Sequence, residues 1–204
     1  MRAAPFATIA VLWPRLAGVA GLVALVGLGA ATATPPVRSV DGFDPARYAG
    51  LWYELARVPD TLQARCVGDV TASYRALEDG SMRVVQRCRE ADDRFRVLVG
   101  RATPVDSSSA RMRVSFMPAW LRWLPSARDD HWVVFVDPAY RVAVVSDPQR
   151  RSMRLLARTP QLDATTVEAV LQQLKAQHFP VERLVVTPQR GQAVPQPSGS
   201  ASVA

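Results

Sequence analysis

The stretch HWVVFVDPAYRVAVVSDPQRRSMRLLART, His131–Thr159, decides the fold. It holds three short runs rich in Val, Leu and aromatic residues, closed in turn by Asp137-Pro138, Asp147-Pro148 and Thr159-Pro160. Proline cannot donate to a strand ladder and restricts the residue before it, so each pair ends a strand. Toward the N-terminus the same pattern recurs in ARMRVSFMP (110–118), FRVLVGRATPV (95–105), SMRVVQRC (81–88) and VTASYRAL (70–77). Asp79-Gly80, between the last two, is a hairpin signal. With GLWYELAR (50–57) there are eight short strands in sequence order, joined by hairpin-length connections. The series predicts an all-β fold, an eight-stranded up-and-down antiparallel barrel, with a sandwich as the other arrangement. Closure leaves no exposed edge, which favours the barrel.

One helix follows the last strand. Asp163 is its N-cap, and Val167, Val170, Leu171 and Leu174 recur at i, i+3, i+4, i+7 on one face. That stripe suits packing against the outside of the barrel, with Pro180 ending the helix and Glu182–Thr187 forming a ninth strand. The remainder of the chain, from residue 189 to residue 204, is mostly Pro, Gly, Ser and Ala without periodicity and reads as a disordered tail.

The N-terminal 33 residues are different in kind. Arg2 and Arg15 are their only charges, and Leu16–Ala31 carries no polar side chain. Ala31-Thr32-Ala33 supplies small residues for a signal peptidase, so residues 1–33 read as a signal peptide cleaved after Ala33. The same run, at marginal spanning length, could instead stay as an anchor. No cysteine lies near Ala33, so a lipid-modified N-terminus is not supported. Residues 34–40, with Pro35-Pro36, form a linker, and residues 41–188 form one domain. An exported protein is expected.

Composition excludes several functions. The 204 residues include two cysteines and two histidines, and His131 and His178 are too far apart for a short metal motif. No metal and no cofactor is expected. The nucleophile elbow and the glycine-rich phosphate and dinucleotide loops are missing. Net charge is +7, or +5 without the first 33 residues, but the arginines are scattered along strands. That argues against nucleic acid and reads as a solvated basic face, with attraction to anionic lipid as the weaker reading.

Three motifs then resemble one family. Gly50-Leu51-Trp52-Tyr53-Glu54 is similar to the first-strand signature of the lipocalins, preceded by Phe43-Asp44, which resembles their short N-terminal turn. Asp137-Pro138-Ala139-Tyr140 resembles their second motif, and Arg158 in LLARTP their third. YELARVP, TASYRALEDG and LLARTP are most like the bacterial outer-membrane lipocalins and apolipoprotein D. The resemblance implies that Trp52 closes the barrel base with Arg158 packed across it, and that Gly50, Trp52 and Arg158 serve the fold.

The resemblance also implies a cavity for a small hydrophobic ligand. If Trp52 faces in, matching strands to the family places Val70, Ala72 and Tyr74 inward, with Met82, Val84 and Gln86. Leu98 and Gly100 follow, then Met112, Val114 and Phe116, and then His131, Val133 and Phe135. Period two from Arg158 also turns Leu156 and Arg154 inward. Arg154 then either reaches water at the rim or binds the acidic headgroup of an acyl ligand. Small residues such as Gly100 leave room for that ligand. The bacterial subgroup implies a fatty acid or lysophospholipid, held for lipid storage or transport in the envelope, and not an enzyme.

Two features allow other readings. Trp120 and Trp123, between Pro118 and Pro125, form an apolar connecting loop that either folds over the barrel or touches a membrane or partner at the entrance. Cys66 and Cys88 flank the Asp79-Gly80 hairpin and, in an exported chain, are expected to form a disulfide. The alternative is a pocket thiol, as in lipocalin-fold isomerases. A lipocalin-fold enzyme acting on an apolar substrate is accordingly the second functional class. Oligomeric state is not legible.

Overall fold

A computed structural model of the chain describes residues 34–190, and the signal peptide, its cleavage after Ala33 and the tail beyond Arg190 lie outside the described residues. Eight antiparallel strands follow in order: β1 (Gly50–Arg57), β2 (Cys66–Ala76), β3 (Met82–Glu90), β4 (Phe95–Pro104), β5 (Arg111–Ser115), β6 (Asp129–Val136), β7 (Val142–Ser146) and β8 (Met153–Ala157). Each pairs with its neighbour, and β1 pairs with both β2 and β8, so the sheet closes on itself. This is the barrel rather than the sandwich. The barrel and its core lie in a unit that begins at Thr34, distinct from residues 1–33.

Two bulges change which side chains face inward. In β1 the register against β8 shifts between Glu54 and Ala56, so Glu54 and Arg57 both oppose inward positions of β8, Leu156 and Arg154. In β6 the shift falls between Val133 and Phe135, where one extra residue moves the following side chain to the opposite face. Val133 and Val136 join the inner core, while Val134 and Phe135 join an outer layer.

That outer layer is covered by α2 (Ala164–Ala176). Asp163 caps α2 by accepting from Thr166 N at 2.8 Å. Val170 and Leu174 are buried against Val134, Val142, Val144, Met153 and Leu155. Pro180 does not end the helix: the chain leaves it at Gln177 and His178, whose φ is +61°, before the proline is reached. The ninth strand is shorter than Glu182–Thr187. Val181–Arg183 is a 3-10 turn, and only Val185–Val186 (β9) pairs with Ala56 and Arg57.

The flanking segments are also more involved than composition suggests. Val37, within residues 34–40, is buried in the outer layer, and Val40 N donates to Val133 O at 2.8 Å. Gln189 is buried and donates to Glu54 O and Val70 O at 2.8 and 3.1 Å. Arg190 pairs with Asp69 and Asp93. Residues at both ends of the described chain therefore contact the barrel.

The floor is built around Trp52, which is fully buried. Its Nε1 donates to Tyr48 O at 2.8 Å, and the Arg158 guanidinium lies 3.9 Å from the ring centroid. Arg158 also donates to five backbone carbonyls, of Arg47, Tyr48, Ala49, Leu51 and Tyr140. Gly50 is required beside it: its φ is +103°, and a Cβ there would sit 3.1 Å from Arg158 Nη1. The turn helix α1 (Pro45–Tyr48) is capped by Asp44, whose own N–H donates to Tyr140 Oη at 2.8 Å. Asp137 holds the turn that presents Tyr140, accepting from Arg141 N and Val142 N at 2.5 and 2.6 Å.

Cys66 and Cys88 are joined in a disulfide that ties the start of β2 to the end of β3. Two stability measurements follow. Trp52→Ala should lower unfolding free energy in denaturant titration by about 3–5 kcal/mol, the range for a buried large aromatic. Replacing both cysteines with serine should cost about 2–4 kcal/mol in the same assay.

Candidate ligand cavity

Opposite the Trp52 floor the barrel encloses a cavity of about 260 Å³. Its apolar wall comes from Val70, Ala72, Val84, Val114, Phe116, Val145 and Leu156. Its rim is charged, with Asp60, Arg128, Asp147 and Arg151 from the connections at the open end and Asp129 and Asp130 from the start of β6. Small-molecule sites combine an apolar wall with polar groups that orient the ligand; this cavity carries more polar groups than is usual, and its volume lies just below their common range.

Nine of the residues expected in the pocket line it: Val70, Ala72, Tyr74, Val84, Gln86, Val114, Phe116, His131 and Arg154. Six do not. Met82, Met112 and Val133 face inward but are packed below the cavity with Tyr48, Trp52 and Tyr140, so they fill the lower barrel. Gly100 leaves no room for ligand, because a Cβ there would lie 2.7 Å from the Phe116 ring, which already occupies the space. Leu98 borders a separate hollow of about 10 Å³ beside Cys66 and Cys88. Phe135 is turned to the outer layer by the β6 bulge.

Sequence reasoning missed the part of the site that loops contribute. Glu54 and Leu156 lie at period-two positions from Trp52 and Arg158, so strand phase reaches them. Asp60, Thr61 and Leu62 come from the β1–β2 connection, and Asp147, Arg151 and Ser152 from the β7–β8 connection. No periodicity places loop residues.

Arg154 occupies the cavity as strand phase predicts, but it is not a free cation. It pairs with Asp60, and its Nε lies 3.4 Å from Glu54 Oε2. Glu54 is buried and also meets Arg57 at 3.2 Å, Gln63 at 3.0 Å and the Thr187 hydroxyl at 2.9 Å. Buried charges persist when paired and hydrogen-bonded in this way. An anionic headgroup would compete with two resident carboxylates for Arg154.

At the base of the cavity Tyr74 Oη lies 3.4 Å from His131 Nε2, with the rings 5.7 Å apart. Tyr74 in turn packs on Tyr48 and Tyr48 on Trp52, at 5.0 and 5.1 Å between ring centroids, which links the cavity to the floor. Burial pushes the His131 imidazole down to about 3, and the Arg154 charge acts in the same direction. Burial raises the Tyr74 hydroxyl to about 12, against the Arg154 charge. At neutral pH the pair is uncharged and offers hydrogen bonds rather than a proton reservoir. At the rim, partial burial raises the Asp129 carboxyl, opposed by Arg154 and reinforced by Asp60 and Asp130. Cys66 is bonded to Cys88 and supplies no pocket thiol. Among the described residues no cluster of His, Cys, Asp and Glu could hold a metal ion.

Trp120 and Trp123 do not fold over the barrel. They are 72% and 69% exposed, on a connection formed by two 3-10 turns, Ala119–Leu121 and Pro125–Ala127.

A closed eight-stranded barrel with a plugged floor, one open end and an apolar-walled cavity under a charged rim is the architecture that holds one small ligand in other barrels. Comparison with known proteins agrees: the family of lipocalin-like domains matches residues 43–189. The chain belongs to the lipocalins. It is 30% identical to temperature-induced lipocalin-1 of Arabidopsis thaliana over 153 residues, 74% of this chain and 81% of that protein. It is 29% identical to the outer membrane lipoprotein Blc of Citrobacter freundii over 180 residues, 87% of this chain and 97% of that protein. It is 31% identical to apolipoprotein D of Macaca fascicularis over 164 residues, covering 76% and 81%. Among solved structures, insecticyanin of Manduca sexta shares the fold at TM-score 0.57 and 18% identity, over 76% of this chain and 86% of that one.

The His131 environment generates a pH dependence. In the unfolded chain an imidazole protonates near 6.5, whereas in the fold it stays neutral to about 3. Between these values the unfolded state binds the extra proton, so this residue makes stability fall as pH drops through that window. His131→Gln should flatten the decline relative to wild type in denaturant titrations across pH 7 to 3. Parallel curves would remove the assignment.

Proposed function

We propose that the protein binds a fatty acid or lysophospholipid in the barrel and serves lipid storage or transport in the cell envelope. The observation that carries this is the cavity's polarity gradient. The wall of Val70, Val84, Val114, Val145 and Leu156 suits an acyl chain, while the charged rim suits a polar end left in water. At about 260 Å³ the cavity would take part of a long chain, with the rest and the headgroup at the mouth. Because Glu54 and Asp60 neutralise Arg154, the headgroup would rest on the rim rather than form a buried ion pair with that residue.

The envelope location is supported by the apolar run Leu16–Ala31, by the names of the bacterial relatives and by the Cys66–Cys88 disulfide. Disulfides persist in oxidising compartments such as the periplasm. Binding is favoured over catalysis because the cavity's two buried titratable rings, Tyr74 and His131, are uncharged at neutral pH and the cysteines are paired.

The test is native mass spectrometry of protein isolated from its own cells, followed by titration with oleate and lysophosphatidylcholine. Intact bound lipid is expected. Ala72→Phe should weaken binding by about tenfold or more, a loss of at least ~1.4 kcal/mol, with unchanged far-ultraviolet circular dichroism. Protein that carries no lipid and binds neither probe would overturn the reading.

A further inference from the structure

We propose that the β5–β6 connection is a docking face for an anionic lipid bilayer. Its tip presents Trp120 and Trp123, with Met117 40% exposed behind them. Between this connection and the outer wall of β4 and β5 lies a cleft of about 550 Å³. Four arginines line it, Arg101, Arg113, Arg122 and Arg128, and none of its lining residues is Asp or Glu. They come from β4, β5 and the connection itself, so folding gathers charges that are scattered in sequence.

The arginines differ in what already holds them. Arg101 pairs with Asp79 and Arg113 with Asp130, the latter at 3.7 Å. Among the described residues Arg122 and Arg128 bond to backbone carbonyls of their own connection. Arg122 Nε donates to Met117 O at 2.9 Å, and Arg128 donates to Arg122 O and Trp123 O at 2.5 and 3.0 Å. Those bonds brace the two turns and, among the described residues, neither positive charge has a carboxylate partner. The result is a pre-formed tip with indoles outward and guanidinium groups beside them.

A lipid surface fits this arrangement better than a protein does. Tryptophan settles at headgroup depth, where its ring is apolar and its N–H is hydrated. Arginines next to it meet anionic headgroups in the same plane. Two indoles at a convex tip bury about 300–500 Å² together, well short of the ~1,000 Å² that a specific protein interface needs. Arg128 lines both the cleft and the ligand cavity, so this face adjoins the mouth. Docking itself does not depend on what the cavity binds.

The experiment uses residues 34–204, the unit that carries the whole barrel, with vesicles of phosphatidylcholine alone or with phosphatidylglycerol added. Cosedimentation with the anionic vesicles, a blue shift in tryptophan emission and release at high salt are expected. Trp120→Ser with Trp123→Ser should abolish binding, and Arg113→Gln with Arg122→Gln should lower the partition coefficient by about thirtyfold. Circular dichroism should match wild type for both pairs, since these side chains lie outside the core. Equal binding to neutral and anionic vesicles, or unchanged binding by the tryptophan pair, would overturn the proposal. So would a tryptophan-dependent dimer in sedimentation without vesicle binding, which would assign the tip to a second copy of the chain.

Discussion

The guanidinium of Arg158 lying on the indole of Trp52 is the contact on which the rest of the barrel depends. A cation over an indole contributes about 0.5–2 kcal/mol, and more when water is excluded. Its larger importance here is topological. Arg158 follows the last barrel strand, yet its donors reach carbonyls of residues 47–51 at the start of the first. The same side chain therefore satisfies otherwise orphaned carbonyls and joins the two strands that must meet for closure. Gly50 is explained by the same contact, because any side chain there would push on the guanidinium.

Closing one end determines what the other end can be. Met82, Met112 and Val133 fill the barrel above Trp52, so the cavity begins only at the level of Tyr74 and His131. Above that level the strands give way to connections of differing length, which supply polar side chains. Glu54 sits where the two regimes meet. It is buried, it faces in two residues on from Trp52, and it is held by Arg57, brought to the same face by the β1 bulge, and by Arg154, Gln63 and Thr187. Burial of a carboxylate is tolerable only with that many partners. Through Thr187 and Gln189 the same network fastens the C-terminal segment to the barrel.

Fold and family were legible because they rest on local patterns. Strand boundaries follow from Asp-Pro and Asp-Gly turns, the helix from Asp163 and a four-residue apolar stripe, and closure from three short motifs. Pairing of Cys66 with Cys88 followed from their positions about one hairpin. Within the cavity, Ala72, Tyr74, Val84 and His131 line the wall as strand phase predicts, since alternation along an unbroken strand is strict. Val70 lines it too, although the β2 register shifts just before Thr71. Strand phase failed at Phe135, where one inserted residue in β6 reversed the phase. It could not see depth either, because Met82 and Val84 share a face but only the second reaches the cavity.

With the floor residues implied by the family resemblance, sequence by itself thus determined the order of strands and the side of the sheet most residues occupy. These are properties of neighbours along the chain, governed by the period of the strand and the chemistry of the turns. Tertiary structure alone decided that Phe116 fills the space above Gly100, that Asp60 and Glu54 converge on Arg154, and that four scattered arginines meet beside Trp123. Each depends on distances between strands and loops remote in sequence. Those distances are set by barrel closure and by register shifts in β1, β2 and β6, which leave no periodic trace in the amino-acid order.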